Sequence, residues 1–570
     1  MNYVSKISSG DEIELERRFP MPFQGVDFNF CRTPTCVAYG IAPDPFKRPR
    51  GTTPAPEGAI RGVVTGSKHE EAFQCPHCRK SWRLKNNRAA VEEYRRLRGL
   101  QDSDPTEASC RTPGCFAHGV SPAQNPEFYW KFGKTAGGDP RWRCRLCLKT
   151  FSEGKPARRH KRSDKNRVIF QMLCNDVSLA KISKIADISY RDLYRKIDFF
   201  YDQVRSFTQR RQVFAEVDFH EVGSRFATDS QTLTINWPTK RRRAPVMVQH
   251  LCTAHARSGY IMEASLQFDP SMTMDEAEEQ AAAANEEDVS VAFRQHARIW
   301  TKSEFNEHLE KLLKLKKIED VDLYQLPHDG VLVRYDMLQF AHAMRLREHL
   351  AGSDAPIILV MDDDKGLQQS FSSVFAPEIG EGSAEIAIVS FDKSMTNDRR
   401  LQVVEEERRL LAAAAGIGIA DLRNLSNEDF ADLSDDIVAT LIKDQDLRRG
   451  FQYPFSRKSE PHRKITLLTD DGSRSNRARA RLLRLATLRS VDAYFHKFRS
   501  NVRFAARPQV SAAGARQMWG KHQLYKPELM HKITEIYRFY HNWCELGEDR
   551  KTPAMRLGLA RGRIYERDFL

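Results

Sequence analysis

Eight of the eleven cysteines in this 570-residue chain fall into two copies of one spacing pattern. Cys31, Cys36, Cys75 and Cys78 form a C-x4-C…C-x2-C quartet, and Cys110, Cys115, Cys144 and Cys147 form a second. A closely spaced pair sits on a tight turn with both thiolates aimed at one point, and two such pairs complete the tetrahedral shell that Zn2+ prefers. The flanking text repeats as well: Cys31-Arg-Thr-Pro-Thr-Cys-Val-Ala-Tyr-Gly-Ile is matched by Cys110-Arg-Thr-Pro-Gly-Cys-Phe-Ala-His-Gly-Val. One module is therefore duplicated, with a longer middle loop at 44–66 in the first copy. The pattern predicts two zinc ribbons over 1–100 and 101–160, joined by a link at 101–107. The zinc would be structural, because four thiolates leave no open coordination position for chemistry.

The competing use of cysteine pairs is the disulfide, which depends on compartment. Met1 is followed by charged residues with no apolar run, and no stretch is long enough to span a bilayer, so the expected location is cytoplasmic, where thiols stay reduced. Cys174, Cys252 and Cys544 lie outside the quartets on apolar-patterned segments and read as core. The formal charge of +14 gives the molecule a positive field that favours polyanionic partners, nucleic acid first among them. A membrane surface fits less well, since the basic residues are spread through helix and strand patterns with no isolated amphipathic anchor.

Within the ribbons, Tyr129, Trp130, Phe132 and Trp142 alternate with polar residues as short strands would, and they suffice for a small core. Over 161–212 the apolar spacing becomes helical: Val168, Ile169, Met172 and Leu173, then Leu179, Ile182 and Ile185, then Leu193, Ile197 and Phe200. The middle of this region has helix-turn-helix grammar. Ser178 caps one helix, Ala180 allows close packing, 187–189 make the turn, and Ser189 caps a helix exposing Tyr190, Arg191, Tyr194, Arg195 and Lys196. Such a helix can lie in the major groove of double-stranded DNA.

From 213 to 510 the text changes again. Three strand-like runs, beginning at Arg225, Val246 and Tyr260, predict an antiparallel meander. A helix from Met337, an apolar strand ending in Asp362-Asp363-Asp364, another helix and a strand from Glu385 follow. The order βββαβαβ is that of the ribonuclease H fold, in which a carboxylate of the first strand meets one at the end of the fourth and a third arrives from a later helix. Those would be Asp229, Asp362 and Asp492. Three converging acids require a cation between them, and oxygen ligands suit Mg2+ or Mn2+. Two such ions serve phosphodiester chemistry. Asp218 competes with Asp229 for the first place and Asp364 with Asp362 for the second. Around Asp492, Arg489, Lys497 and Arg499 could follow a phosphate backbone, and the run Arg474, Arg477, Arg479, Arg481, Arg484 forms a basic approach. Helical inserts are expected at 272–322 and 401–446, as solvated lids, and a C-terminal helical segment at 511–570.

These residues resemble the DDE transposases of bacterial insertion sequences. Tyr129-Trp-Lys-Phe-Gly-Lys-Thr with Arg143-Cys-Arg-Leu-Cys-Leu-Lys-Thr-Phe-Ser is similar to the family's ribbon signature. Thr228-Asp-Ser-Gln with Asn236-Trp looks like its first catalytic strand and Met361-Asp-Asp-Asp like its second. Tyr540-His-Asn-Trp, followed by Lys551-Thr-Pro-Ala-Met-Arg-Leu-Gly-Leu-Ala, is similar to the family's ending, whose last helix packs on the catalytic core. The resemblance covers nearly the whole chain. It implies a multidomain protein, with two zinc ribbons, a helix-turn-helix and a ribonuclease H-like catalytic domain, that binds element ends and catalyses metal-dependent strand cleavage and transfer as an oligomer in the bacterial nucleoid. Many relatives carry Glu as the third acid, so Asp492 departs from the common pattern. The alternative is a domesticated transposase acting as a non-catalytic, sequence-specific DNA-binding regulator.

Overall fold

The structure, a computed structural model, describes residues 17–570 apart from 48–56, 59, 68–69, 103, 105–106, 113–114, 119, 124, 137, 154–160, 237–243, 287, 322–323, 393, 456, 507–508, 511–517 and 520–521. The expected turn at 238–243, Trp237 and part of the C-terminal segment from 511 lie outside the described residues.

Each cysteine module builds a three-stranded antiparallel sheet. In the first, β1 (Val63–Thr65), β2 (Ala72–Gln74) and β3 (Ser81–Arg83) lie side by side, and helix α1 (Asn87–Asp102) follows directly. In the second, β4 (Tyr129–Lys134), β5 (Pro140–Cys144) and β6 (Thr150–Ser152) do the same. Three helices come next: α2 (Asn166–Leu173), α3 (Leu179–Ala186) and α4 (Tyr190–Arg211). Ile169, Phe170, Leu173, Ile182, Leu193 and Ile197 are buried between them. Ala180 is instead exposed, as are Val168 and Ile185, so the apolar stripe is narrower than its sequence period suggests. Asp187 turns the chain in the left-handed region at φ 52°, and the Ser189 side chain accepts the Asp192 N–H to cap α4.

After the single turn α5 (Phe219–Val222), strands β7 (Arg225–Ile235), β8 (Val246–His255) and β9 (Ile261–Leu266) form a continuous antiparallel meander. The chain continues through α6 (Met274–Ala284), α7 (Lys302–Lys314), α8 (Tyr335–Leu350), β10 (Ile357–Asp362), α9 (Lys365–Val374), α10 (Ala376–Gly380) and β11 (Ala384–Ser390). Then come α11 (Asn397–Ala415), α12 (Ile419–Asn424), α13 (Asn427–Leu441), β12 (Phe451–Gln452), β13 (Lys464–Leu467), α14 (Asn476–Leu485), α15 (Arg489–Asn501), α16 (Pro527–Phe539) and α17 (Pro553–Leu557). The seven-stranded sheet has the order β12-β13-β11-β10-β7-β8-β9, with β10 parallel to both of its neighbours and the other pairs antiparallel. A strand flanked on both sides and covered on both faces should read as an unbroken apolar run, and Ile357-Ile-Leu-Val-Met does.

Two helices cover opposite faces. On one, the Thr228 and Thr253 hydroxyls bond each other at 2.8 Å and Thr253 reaches His342 of α8, also at 2.8 Å. On the other, the His250 ring packs at tilted and edge-on angles among Tyr494, Phe495 and Phe498 of α15. A C-terminal helix closes the far edge. Helix α16 widens into a π-helical turn at Tyr540–Cys544, which aims Asn542 at the β9 backbone: its carbonyl accepts the Ile261 N–H at 2.9 Å and its amide donates to the Ile261 carbonyl at 3.0 Å.

Three organisational readings change. The ribbon boundary at 100 and the link from 101 give way to α1, which runs through Asp102 and packs along α8, so the helix belongs to the central core. The first insert is no solvated lid: Ala292 and Phe293 enter the first module's core, and the Asn86 amide bonds the Val291 and Arg294 carbonyls. The second insert, α11 to α13, has an apolar cluster of its own around Leu411, Ala412 and Leu422 and packs on α14.

Candidate functional site

The two cysteine quartets are the firmest site. In each, all four sulfurs lie within 4.8 Å of one another, and no disulfide forms. A tetrahedron of Zn–S bonds about 2.3 Å long has sulfur–sulfur edges of about 3.8 Å. The Cys31–Cys78 and Cys36–Cys75 separations are 3.5 and 3.8 Å, and Cys110–Cys147 and Cys115–Cys144 are 3.4 and 3.8 Å. The turns that achieve this are built alike. Arg79 and Leu148, one residue past each last cysteine, take φ near 60°, and their N–H groups bond the carbonyls of Cys75 and Cys144. Burial pushes the Cys78 thiol up, but the Lys80 N–H and the Thr33 hydroxyl, with the Cys31 and Cys75 thiols, outweigh it and bring it down to about 7. The Thr112 hydroxyl, helped by the Lys149 N–H, draws Cys147 down to about 6. Both quartets can hold zinc.

The modules differ in what they present. In the first, Arg32 is buried and donates to the Phe28 carbonyl at 2.6 Å, and the Tyr39 hydroxyl donates to the Ser372 carbonyl on α9 at 2.5 Å. This copy is docked on the core. In the second, the matching Arg111 is exposed and the apolar cluster of Cys110, Ala117, Tyr129 and Cys144 stands by itself. Its sheet has two faces. Tyr129, Trp142 and Phe151 form the inner one, whereas Trp130 and Phe132, read from the sequence as core, are each 44% exposed. Arg145 lies over Trp130, and Arg141 and Arg143 lie over Phe132. The strand alternation of 129–132 carried this signal: two of its three aromatics had to face outward.

Among the helical residues, Tyr190, Arg191, Tyr194 and Arg195 share the exposed side of α4's first turns. Lys196 does not join them. It is 2% exposed, its ammonium donating to the Asn166 side chain at 2.7 Å and to the Arg162 carbonyl at 2.9 Å, where it ties α4 to α2.

The three acids follow from strand register. Met361 of β10 stands beside Thr228 of β7 in parallel pairing, so the next residues, Asp362 and Asp229, are neighbours where β10 ends. Side chains alternate along strands, and Thr228 faces α8, so both acids face α15. On that helix Arg499 donates to Gln231 at 2.6 Å, two residues beyond Asp229 on the same face. Asp492 precedes Arg499 by two turns on the same flank. That is a setback of about 10 Å along the helix, against about 7 Å from Gln231 to Asp229 along the strand, so Asp492 and Asp229 stand at nearly the same level. Among the described residues the cysteine quartets are the only groups of three or more potential ligands gathered within 4.8 Å, so the aspartates share a face without meeting at a point.

The rival acids are occupied elsewhere. Asp364 caps α9 by accepting the Leu367 N–H at 2.9 Å, and Gln339 of α8 donates to it at 3.0 Å. Gly366 makes room for that amide, because a Cβ there would lie 2.1 Å from the Gln339 oxygen. Asp363 accepts from Gln368 at 2.8 Å. Asp218 caps α5 ahead of β7, at the end of the sheet opposite Asp362.

Around the acids, sequence reasoning missed Gln231 and His250, which bond each other at 3.1 Å beneath Arg499. Arg499 itself, expected on phosphate, is thus engaged with Gln231, and Lys497 is paired with Glu545 at 3.0 Å. Arg489 is exposed. The basic approach is largely neutralised: Arg474 pairs with Glu385, Arg477 with Asp432 and Asp436, Arg479 with Asp470 and Arg484 with Asp435. It serves chiefly as a latch between α14 and its neighbours. Compared with protein-family models, with curated proteins and with solved structures, the chain matches none. Among the described residues no helix is long and apolar enough to cross a membrane.

Proposed function

We propose that this chain is a DDE-type DNA transposase that binds element ends and cleaves and rejoins DNA strands. The observation that carries the reading is the placement of Asp229 beside Asp362 on parallel neighbours, under the flank of α15 that bears Asp492. Support also comes from topology. The meander followed by two parallel crossovers, giving the order β9-β8-β7-β10-β11, is that of the ribonuclease H fold.

In this reading the three carboxylates hold a pair of Mg2+ or Mn2+ ions, whose chemistry when bound is to activate an attacking oxygen and stabilise the leaving one. The chain's own part is positional. The sheet fixes Asp229 and Asp362, and the Arg499–Gln231–His250 contacts hold α15, and with it Asp492, over them. The attacking oxygen, from water or a 3′-hydroxyl, forms a bond to phosphorus as the strand's bridging oxygen departs. Tyr190, Arg191, Tyr194 and Arg195 suit a major groove, and Trp130 and Phe132 with their arginines suit stacking on bases beside phosphates. Two element ends must be held together, which calls for a homo-oligomer.

The test is strand cleavage on a labelled duplex carrying the sequences that flank the gene, with Mg2+ or Mn2+, for wild type and Asp229→Ala. Metal-dependent nicking at the end, lost in Asp229→Ala with end binding retained, is the expected result. Tight, specific binding without cleavage under either metal would refute the enzyme and leave the regulator.

A further inference from the structure

We propose that a cationic pocket at the start of β7 binds a phosphate group of the DNA strand led past the three acids; the choice of DNA as the source rests on the function proposed above. The pocket, about 400 Å³, collects Arg225 from the first residue of β7, Arg457 from the loop after β12 and Arg489 from the first residue of α15, with Arg257, Lys497 and Arg556 around them.

Three of the six cations around this pocket already have partners. Lys497 is paired with Glu545, Arg556 with Asp549 at 2.6 Å, and Arg257 donates to the Glu221 carbonyl. Among the described residues, Arg225, Arg457 and Arg489 have no carboxylate partner. Buried donors are left over too: the Arg225 Nε and the Ser490 hydroxyl, both in the lining, have no hydrogen-bond partner. Buried polar groups without partners are rare, and several around one cavity point to a missing acceptor. Burial, with Arg484, Arg457 and Arg463 nearby, draws the Arg225 guanidinium down to about 10. Helix α15, thirteen residues long, enters the pocket with its first turn, where the Glu460 carboxylate accepts the Leu488 N–H at 2.8 Å and the Thr487 hydroxyl accepts the Arg489 N–H at 3.2 Å, so its positive end is already partly met.

Several guanidinium forks and a hydroxyl converging on one cavity match an oxyanion with several acceptor oxygens and more than one charge, which is phosphate chemistry. Arg225 precedes Asp229 by four strand residues, about 13 Å. That equals the axial rise of about four base steps of one DNA strand, so the pocket would grip the backbone several nucleotides from the reacting phosphate.

The test is the Arg457→Gln/Arg489→Gln double variant, since both side chains are exposed and unpaired, with Arg409→Gln as a control for removal of a cation elsewhere. In the first arm, duplex affinity is measured by anisotropy against salt. The slope of log affinity on log salt should fall by about 0.9 for each phosphate no longer held, and stay at the wild-type value in the control. In the second arm, pyrophosphate should raise the melting temperature of wild type and not of the double variant. An unchanged slope in the double variant would overturn the DNA assignment, and a pyrophosphate response retained by it would overturn the pocket itself. A reduced slope in a protein that never cleaves DNA would sink the transposase reading and leave this site standing.

Discussion

Substituting Arg484 by Met separates the two roles open to the arginines of α14. In the structure Arg484 holds Asp435 of α13 through two bonds, 2.7 and 2.9 Å, and Asp435 is 3% exposed. Removing one partner of a buried ion pair costs ~3–5 kcal/mol, because the other charge is stranded. The Arg484 side chain is 22% exposed, so solvent already screens part of the pair and the lower end, about 3 kcal/mol, applies. The loss falls on the α13–α14 packing rather than on the whole fold, so hydrogen exchange of the α13 amides is the assay of choice. At about 1.4 kcal/mol per factor of ten, exchange should quicken by roughly a hundredfold, while the salt slope of DNA binding stays at its wild-type value. Arg481, on the same helix, has no carboxylate partner among the described residues, and Arg481→Gln should do the reverse. If Arg484→Met left α13 protected and lowered the salt slope, the latch would be the wrong account and the arginine run would be a DNA surface after all.

Zinc analysis should find two ions per chain, falling to one in Cys144→Ser with the main melting transition intact. In Cys75→Ser that transition should fall too, because the Tyr39 bond to Ser372 and the Arg32 bond to Gln369 tie the first module to α9 of the core. Trp130→Ala with Phe132→Ala should lower DNA affinity tenfold or more, given ~1–3 kcal/mol per stacked base, and leave the melting temperature unchanged because both rings are exposed. Stability should drop as pH falls from about 6.5 to 4. Burial holds His250 down at about 3 and His255 and His342 at about 4, so the unfolded chain takes up protons first in that window, each group removing roughly 1 kcal/mol per pH unit. A melting temperature flat from pH 7 to 4.5 would show these imidazoles to be hydrated in solution.

The parts of the fold legible in the sequence are those with a local rule behind them. The quartets were legible because metal geometry fixes cysteine spacing, and β10 because a doubly covered strand must be apolar throughout. What escaped depended on partners distant in sequence. Nothing in 87–102 says that α1 packs along α8, or that the first module docks through Tyr39 while its duplicate stays apart. Lys196 sits at a helical position indistinguishable from that of Arg195 until α2 is placed beside it, where Asn166 and two carbonyls take its three N–H donors. Likewise, the basic run 474–489 looks like one surface in one dimension. Its neutralising carboxylates lie on α13, on β11 and in the turn before α14.

Register decides among the candidate acids where composition could not. The triplet 362–364 offers three carboxylates within one turn of chain, yet a cap needs an acceptor three residues before a helical N–H, and only Asp364 stands there for Leu367. Asp363 is turned to Gln368, which leaves Asp362 as the last strand residue, on the face it shares with Asp229. The position of α15 matters as much. Under the function proposed above, Asp492, one methylene shorter than a glutamate, would reach a shared cation only if its helix lies close to β7. The Arg499–Gln231 bond supplies that closeness, and Gln231→Ala should therefore impair cleavage through the position of α15 while leaving end binding unchanged. Restored cleavage in Gln231→Ala/Asp492→Glu, where the longer acid recovers the lost reach, would establish the helix position as the cause. Equal loss in Gln231→Ala and the double variant would refute it.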